Sequence, residues 1–146
     1  MAAATRTAEP ATTTSAPPRS AAFSAVIGLA GLAVLLQGLW AGLFLREGGG
    51  YRDTWVQVHA RGAEVALALA LIATIIAFVR LRARRGVVIG SVVFTVLLAF
   101  EAFLGGKVSD DHSVAAQVVH IPLAMALLGL AVWLPLRASR RVPTPR

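Results

Sequence analysis

Four apolar runs, at about 21–45, 55–79, 86–105 and 114–136, are separated by short polar stretches. Each is near or above the ~20 residues that a helix needs to cross the hydrocarbon core of a bilayer. The pattern therefore predicts four spanning helices. The connections near 46–54, 80–85 and 106–113 are short, and Gly48-Gly49-Gly50 and Gly105-Gly106 are natural stops. Helices consecutive in sequence should then be antiparallel neighbours. The expected fold is all-α, an integral membrane up-down-up-down four-helix bundle over 21–138, preceded by a disordered tail (1–20) and followed by a basic tail (139–146). The first tail is mostly Ala, Thr, Ser and Pro, which have little to bury. The apolar run after Arg19 exceeds a signal-peptide core of ~7–15 residues, so it is expected to stay attached as the first helix.

The basic residues orient the bundle. Arg80, Arg82, Arg84 and Arg85 lie between the second and third runs, and Arg137, Arg140, Arg141 and Arg146 follow the fourth. Arginine-rich connections stay on the cytoplasmic side, so both termini are expected inside and the protein is expected in the cytoplasmic membrane. The connection with Arg46, Glu47, Arg52 and Asp53 is balanced, and that with Lys107, Asp110 and Asp111 is weakly acidic, which suits the outer side. Trp40, Tyr51 and Trp55 fall near the outer boundary and Trp133 near the inner one, as interfacial anchors do.

Composition removes several alternatives. Of 146 residues, 57% are hydrophobic, too many for a soluble domain of this size. There is no cysteine, which excludes the thiol and disulfide chemistry of some four-helix membrane enzymes. The net charge of +7 would suit nucleic acid, but the basic residues flank apolar segments instead of forming a basic domain. Lipid is the expected partner, and nucleic acid is not.

Candidate chemistry lies where polar residues interrupt the apolar runs: Val58-His59-Ala60-Arg61-Gly62-Ala63-Glu64 in the second and Gln117-Val118-Val119-His120-Ile121-Pro122 in the fourth. Ionisable groups at membrane depth mark a pathway, a cofactor ligand or a satisfied interhelical contact. His59 lies ~6 Å below Trp55 and His120 ~10 Å below Ser113, so the two share an outer-leaflet layer, with Glu101 at similar depth and Gln37 somewhat deeper. Steps of ~100° per residue separate a Gln57/Arg61/Glu64 stripe from the face carrying His59, Gly62, Ala63, Ala66, Ala70, Ala73 and Ala77. Small residues sit where a helix or a flat cofactor approaches closely, which points His59 inward. His120 shares its face with Ser113, Ala116, Gln117, Ala124, Leu127 and Ala131, and Pro122 is expected to kink the helix just below it.

In an up-down bundle the second and fourth helices are diagonal, on the order of 11–14 Å apart. Two imidazoles reaching across that diagonal can clasp a haem iron. The plainer reading is that each histidine hydrogen-bonds to backbone or to Gln37, Gln117 or Glu101. Arg61 and Glu64, spaced i, i+3, neutralise each other; alternatively Arg61 holds a haem propionate or pairs with Glu101. His112 is expected in solvent, where Asp110-Asp111-His112 is at most a weak metal site. Gly38-Leu39-Trp40-Ala41-Gly42 is a GxxxG pattern, expected to serve packing within the chain.

With a histidine near the outer end of the second helix and another in the fourth, the chain resembles one half of haem A synthase. That resemblance implies a four-helix bundle whose two histidines, here His59 and His120, ligate haem. The family's second helix carries a glutamate three residues before its histidine and an arginine directly after; here those positions are Val56 and Ala60, so haem binding carries over and the hydroxylation chemistry does not. Through Gln37 with Ala41-Gly42, His59 followed by Gly62, and His120-Ile121-Pro122, residues 23–136 also resemble short four-helix membrane proteins of actinobacteria, which implies a fold and no activity. The expected function is haem b binding through His59 and His120, with Arg61 as a further contact, for electron transfer to quinone or a membrane redox partner. The alternative is a non-enzymatic subunit or scaffold, homo-oligomeric or docking a partner through the Arg61/Glu64 stripe. A transporter has less support, because the polar residues cluster in one leaflet and not at the midplane.

Overall fold

The computed structural model describes residues 20–45 and 53–140. The expected 1–20 tail (Ser20 apart), the connection with the glycine run and Tyr51, and the final arginines Arg141 and Arg146 lie outside the described residues. The chain forms α1 (Ala21–Leu45), α2 (Asp53–Arg80), α3 (Arg85–Asp111) and α4 (Val114–Ser139). All four are long and apolar enough to cross a membrane. Helices are the expected answer to such runs, because in lipid every backbone N–H and C=O must find its partner within the segment.

The helices form a ring in which each packs on its two neighbours, α1 on α2 and α4, and α3 on α2 and α4, with no backbone contact across either diagonal. Gly86 lies beside Arg137, Gly90 beside Leu134 and Gly105 beside His120, so α3 and α4 run antiparallel. Arg84 donates from its guanidinium to the carbonyl of Ala138, tying the α2–α3 turn to the end of α4. The arginines of that turn and those that end α4 therefore share one end of the bundle.

That end is apolar inside. Phe23, Ile27, Ala30 and Val34 of α1 meet Val87, Phe94 and Leu98 of α3, Leu127, Ala131 and Leu134 of α4, and the alanines at 66, 70, 73 and 77 of α2, all in one buried cluster. Midway, the Thr74 and Thr95 hydroxyls are 2.9 Å apart, and the Thr74 hydroxyl donates to the Ser91 carbonyl at 3.1 Å. These bonds join α2 to α3. The outer surface is itself apolar, with Leu35, Val65, Ile75, Val96, Phe103, Met125 and Val132 all exposed. In water this would be a large sticky surface; in a bilayer it is the lipid-facing wall.

Several boundaries differ from the sequence expectation. α3 does not stop at Gly105-Gly106 but continues to Asp111. Lys107 and Asp111 pair at 2.8 Å along its last turn, and His112 closes the helix in the left-handed conformation (φ 51°), with the Ser113 N–H bonded back to the Lys107 carbonyl. Ser113 then caps α4, its hydroxyl accepting from the Ala116 N–H at 3.2 Å. Gly105 is used for space, not for stopping. α4 runs on through Pro122 and Pro135. The GxxxG pattern of α1 also differs: nothing lies within 4 Å of where a Cβ would stand on Gly38 or Gly42, so it serves no packing among the described residues.

Two other glycines of α1 separate packing from propensity. A Cβ on Gly31 would stand 2.9 Å from the Ala131 Cβ, whereas one on Gly28 meets nothing within 4 Å. Ala131 cannot rotate out of the way, so Gly31→Ala must push α1 from α4. It is expected to cost about 1–3 kcal/mol. Gly28→Ala should be neutral or stabilising by up to ~1 kcal/mol through helix propensity. Thermal unfolding of both variants in detergent should therefore move in opposite directions, or only Gly31→Ala should fall.

Candidate functional site

The end of the bundle opposite the arginines is lined by polar groups. On α2, the small face predicted to point inward does so: Gly62, Ala66, Ala70, Ala73 and Ala77 are buried. At its outer end Gly62 makes room for α1, since a Cβ there would overlap the Trp40 ring and the Gln37 side chain. At this level the small face thus serves helix–helix contact, the plainer of the two readings. It brings His59 against α1, where its Nδ1 lies 3.2 Å from the backbone carbonyl of Gln37. A carbonyl oxygen only accepts, so this bond needs the proton on Nδ1 and puts the lone pair on Nε2.

His120 is held from the other side. Its Nδ1 is 3.0 Å from Glu101 Oε1, in close contact but without hydrogen-bond alignment. Gly105, one turn further along α3, gives the ring its place; a Cβ there would sit 3.3 Å from His120 Cε1. The Glu101 side chain is only 9% exposed, and among the described residues neither of its carboxyl oxygens has a hydrogen-bond partner, nor does the side-chain oxygen of Gln37. A buried carboxyl without donors is costly.

Across the diagonal, where the backbones of α2 and α4 do not touch, the His59 and His120 rings come within 6.4 Å, centroid to centroid, at an interplanar angle of 61°. Each ring thus has an oxygen beside Nδ1, a backbone carbonyl for one and a carboxyl for the other, and the two rings meet edge to face from opposite helices.

Comparison with protein-family models, curated proteins and solved structures finds no match to this chain. The functional reading therefore rests on the geometry.

The other sequence candidates fall elsewhere. Arg61 does not join the histidine layer: it lies on the outward face of α2, its side chain 77% exposed, and contacts Glu64 (64% exposed) at 2.8 Å. The i, i+3 pair is formed, and Glu101 is not its partner. Gln117 is exposed on α4. His112, Asp110 and Asp111 are exposed, and no group of three or more His, Asp or Glu side chains among the described residues is arranged to hold a metal ion. Gln37, expected deeper, is in the histidine layer through both its carbonyl and its side chain. Sequence reasoning read Gly105 only as a helix stop and gave it no part in the site, and its signal is visible only in retrospect: two consecutive glycines in a helix that continues to a charged i, i+4 pair.

Proposed function

We propose that the polar end of the bundle binds one haem b, with His59 and His120 as its two axial ligands, and that the protein carries electrons within a membrane. The observation that supports this most is the 6.4 Å separation of the two ring centroids. Two imidazoles on opposite sides of one metal, with bonds of about 2 Å and about 1 Å more from nitrogen to ring centre, place their centroids roughly 6 Å apart. The oxygen beside each Nδ1 adds to it. Metal-bound histidines commonly donate their second N–H to a backbone carbonyl or a carboxylate; here the Gln37 carbonyl stands 3.2 Å from His59 Nδ1, and Glu101 lies 3.0 Å from His120 Nδ1, near but not aligned.

In this reading the chain's residues have separate tasks. The Gln37 carbonyl holds the proton of His59 on Nδ1, so that Nε2 is the ligating atom. Glu101 Oε1, 3.0 Å from His120 Nδ1, would do the same for His120 once the ring turned to donate to it. Gly62 and Gly105 allow the α1–α2 approach and the His120 ring position on which this depends. When bound, the haem supplies the one-electron chemistry, while the protein supplies ligands, orientation and a site screened from water. Arg61 has no part in it, since it faces away.

The same proposal places the bundle in the cytoplasmic membrane with both termini inside and the histidine layer in the outer leaflet, because the arginines of the α2–α3 turn and of the end of α4 share one end. A second reading, a non-enzymatic subunit that docks a partner, is favoured by one observation: the Arg61/Glu64 pair stands exposed on a lipid-facing wall.

Two measurements check these readings. A reduced-minus-oxidised optical spectrum of the protein, expressed with ample haem, should show the sharp reduced band of a low-spin haem. His59→Ala and His120→Ala should each abolish it or convert it to a five-coordinate form, and His112→Ala should leave it unchanged. Protein that purifies colourless would contradict the proposal and favour the subunit reading. For orientation, a reporter fused after Arg146 should be active only in the cytoplasm; activity on the far side would reverse the leaflet assignment.

A further inference from the structure

On the lipid-facing side of α1 and α2, one face away from the histidines, lies an open groove of about 650 Å³ lined by Trp40 of α1 and by Thr54, Gln57, Val58, Arg61, Gly62 and Val65 of α2. Its polar side chains are unusual for their position. Arg61 stands about 12 Å along α2 from its outer end, on a wall otherwise made for lipid. Its ion pair with Glu64 uses one nitrogen, Nη1, and a guanidinium has further N–H donors. Gln57 makes no side-chain hydrogen bond with the described residues, and neither does Thr54. Thr54 and Gln57 stand near the membrane boundary, but Arg61 lies deeper, where lipid tails cannot satisfy its remaining donors.

The chemistry of the groove narrows what would satisfy them. The ligand must enter from the membrane, so it is largely apolar. It must carry acceptor oxygens, since the free groups include several donors. Its head should be uncharged, because Glu64 already neutralises Arg61 and an anionic head would meet a site with no net positive charge. A planar head suits the floor, where the Trp40 ring lies over Gly62 with no side chain between them. The volume is within the range of small-molecule sites. We infer that this groove binds the head of a lipid-soluble quinone, its carbonyl oxygens accepting from Arg61 and Gln57 and its tail running along Val58 and Val65. As a statement of binding this stands by itself; as the identity of the redox partner it rests on the haem reading, since Val58 and Gly62 flank His59 on the same turns of α2.

The test is tryptophan fluorescence of the protein in phosphatidylcholine nanodiscs titrated with decylubiquinone, a short-chain benzoquinone. Quenching should saturate, and Trp40→Phe should remove most of the saturable part while leaving Trp55 and Trp133. Gln57→Leu, and separately the charge-neutral double variant Arg61→Leu/Glu64→Leu, should weaken binding about tenfold, as loss of one to two hydrogen bonds would. Gln57→Leu replaces an exposed side chain by an apolar one on a lipid-facing wall, so it keeps the test valid if the double variant does not fold. Wild-type protein prepared without haem should bind the quinone as haem-loaded protein does. Failure of the haem reading would thus leave this result standing, and failure of the quinone reading would leave the haem spectrum standing. Quenching that rises linearly without saturation, or that is indifferent to Trp40, Gln57 and Arg61, would overturn the inference. So would efficient disulfide cross-linking of Gln57→Cys between two copies in the nanodisc, because a second chain would then occupy the groove.

Discussion

The bundle depends on how closely its helices can approach, because lipid provides no hydrophobic force to press one apolar helix on another. Three of the four interfaces are built around glycines that admit a neighbour: Gly31 against Ala131 between α1 and α4, Gly62 against Trp40 and Gln37 between α1 and α2, and Gly90 and Gly105 against Leu134 and His120 between α3 and α4. The α2–α3 interface uses hydrogen bonds instead, from Thr74 to Ser91 and Thr95. The same device that builds the fold also builds the site. Gly62 lets α1 reach the depth at which the Gln37 carbonyl meets His59, and Gly105 leaves room for the His120 ring.

Polarity is distributed along the bundle axis. One end buries aromatic and aliphatic side chains without a charged group among them, and the other holds two histidines, a buried carboxyl and an amide within one layer. Since the diagonal helices do not touch, their histidines meet only because both rings reach inward. Such a layer loses stability relative to an apolar one unless something completes its hydrogen bonds. A ligand that engages both rings would couple the diagonal helices.

Much of this could be read from the chain. Run lengths predicted the four helices, and a rotation of ~100° per residue separated the buried small face of α2 from its exposed Gln57/Arg61/Glu64 stripe. Equal depth and helix parity placed the histidines opposite each other. What could not be read depended on neighbours. Gly105 reads as a stop in isolation, but a helix continues through glycine when packing and a following i, i+4 ion pair support it. Gly38 and Gly42 read as a packing motif, yet nothing lies within 4 Å of a Cβ on either, although Gly38 stands two turns from Gly31 on the same side of α1. Gln117 shares His120's side of α4 on a helical wheel but falls past the edge of the contact. The role of the Gln37 carbonyl was hidden because backbone acceptors carry no sequence signature.

The central claim, that two histidines from diagonal helices form one ligand site, is tested most directly by titrating haem into protein prepared without it. The account predicts a low-spin product that saturates at about one haem per chain, as a site with two axial imidazoles requires, and no such product with the His59→Ala/His120→Ala double variant. A titration that never saturates, or that gives the same product with the double variant, would contradict it.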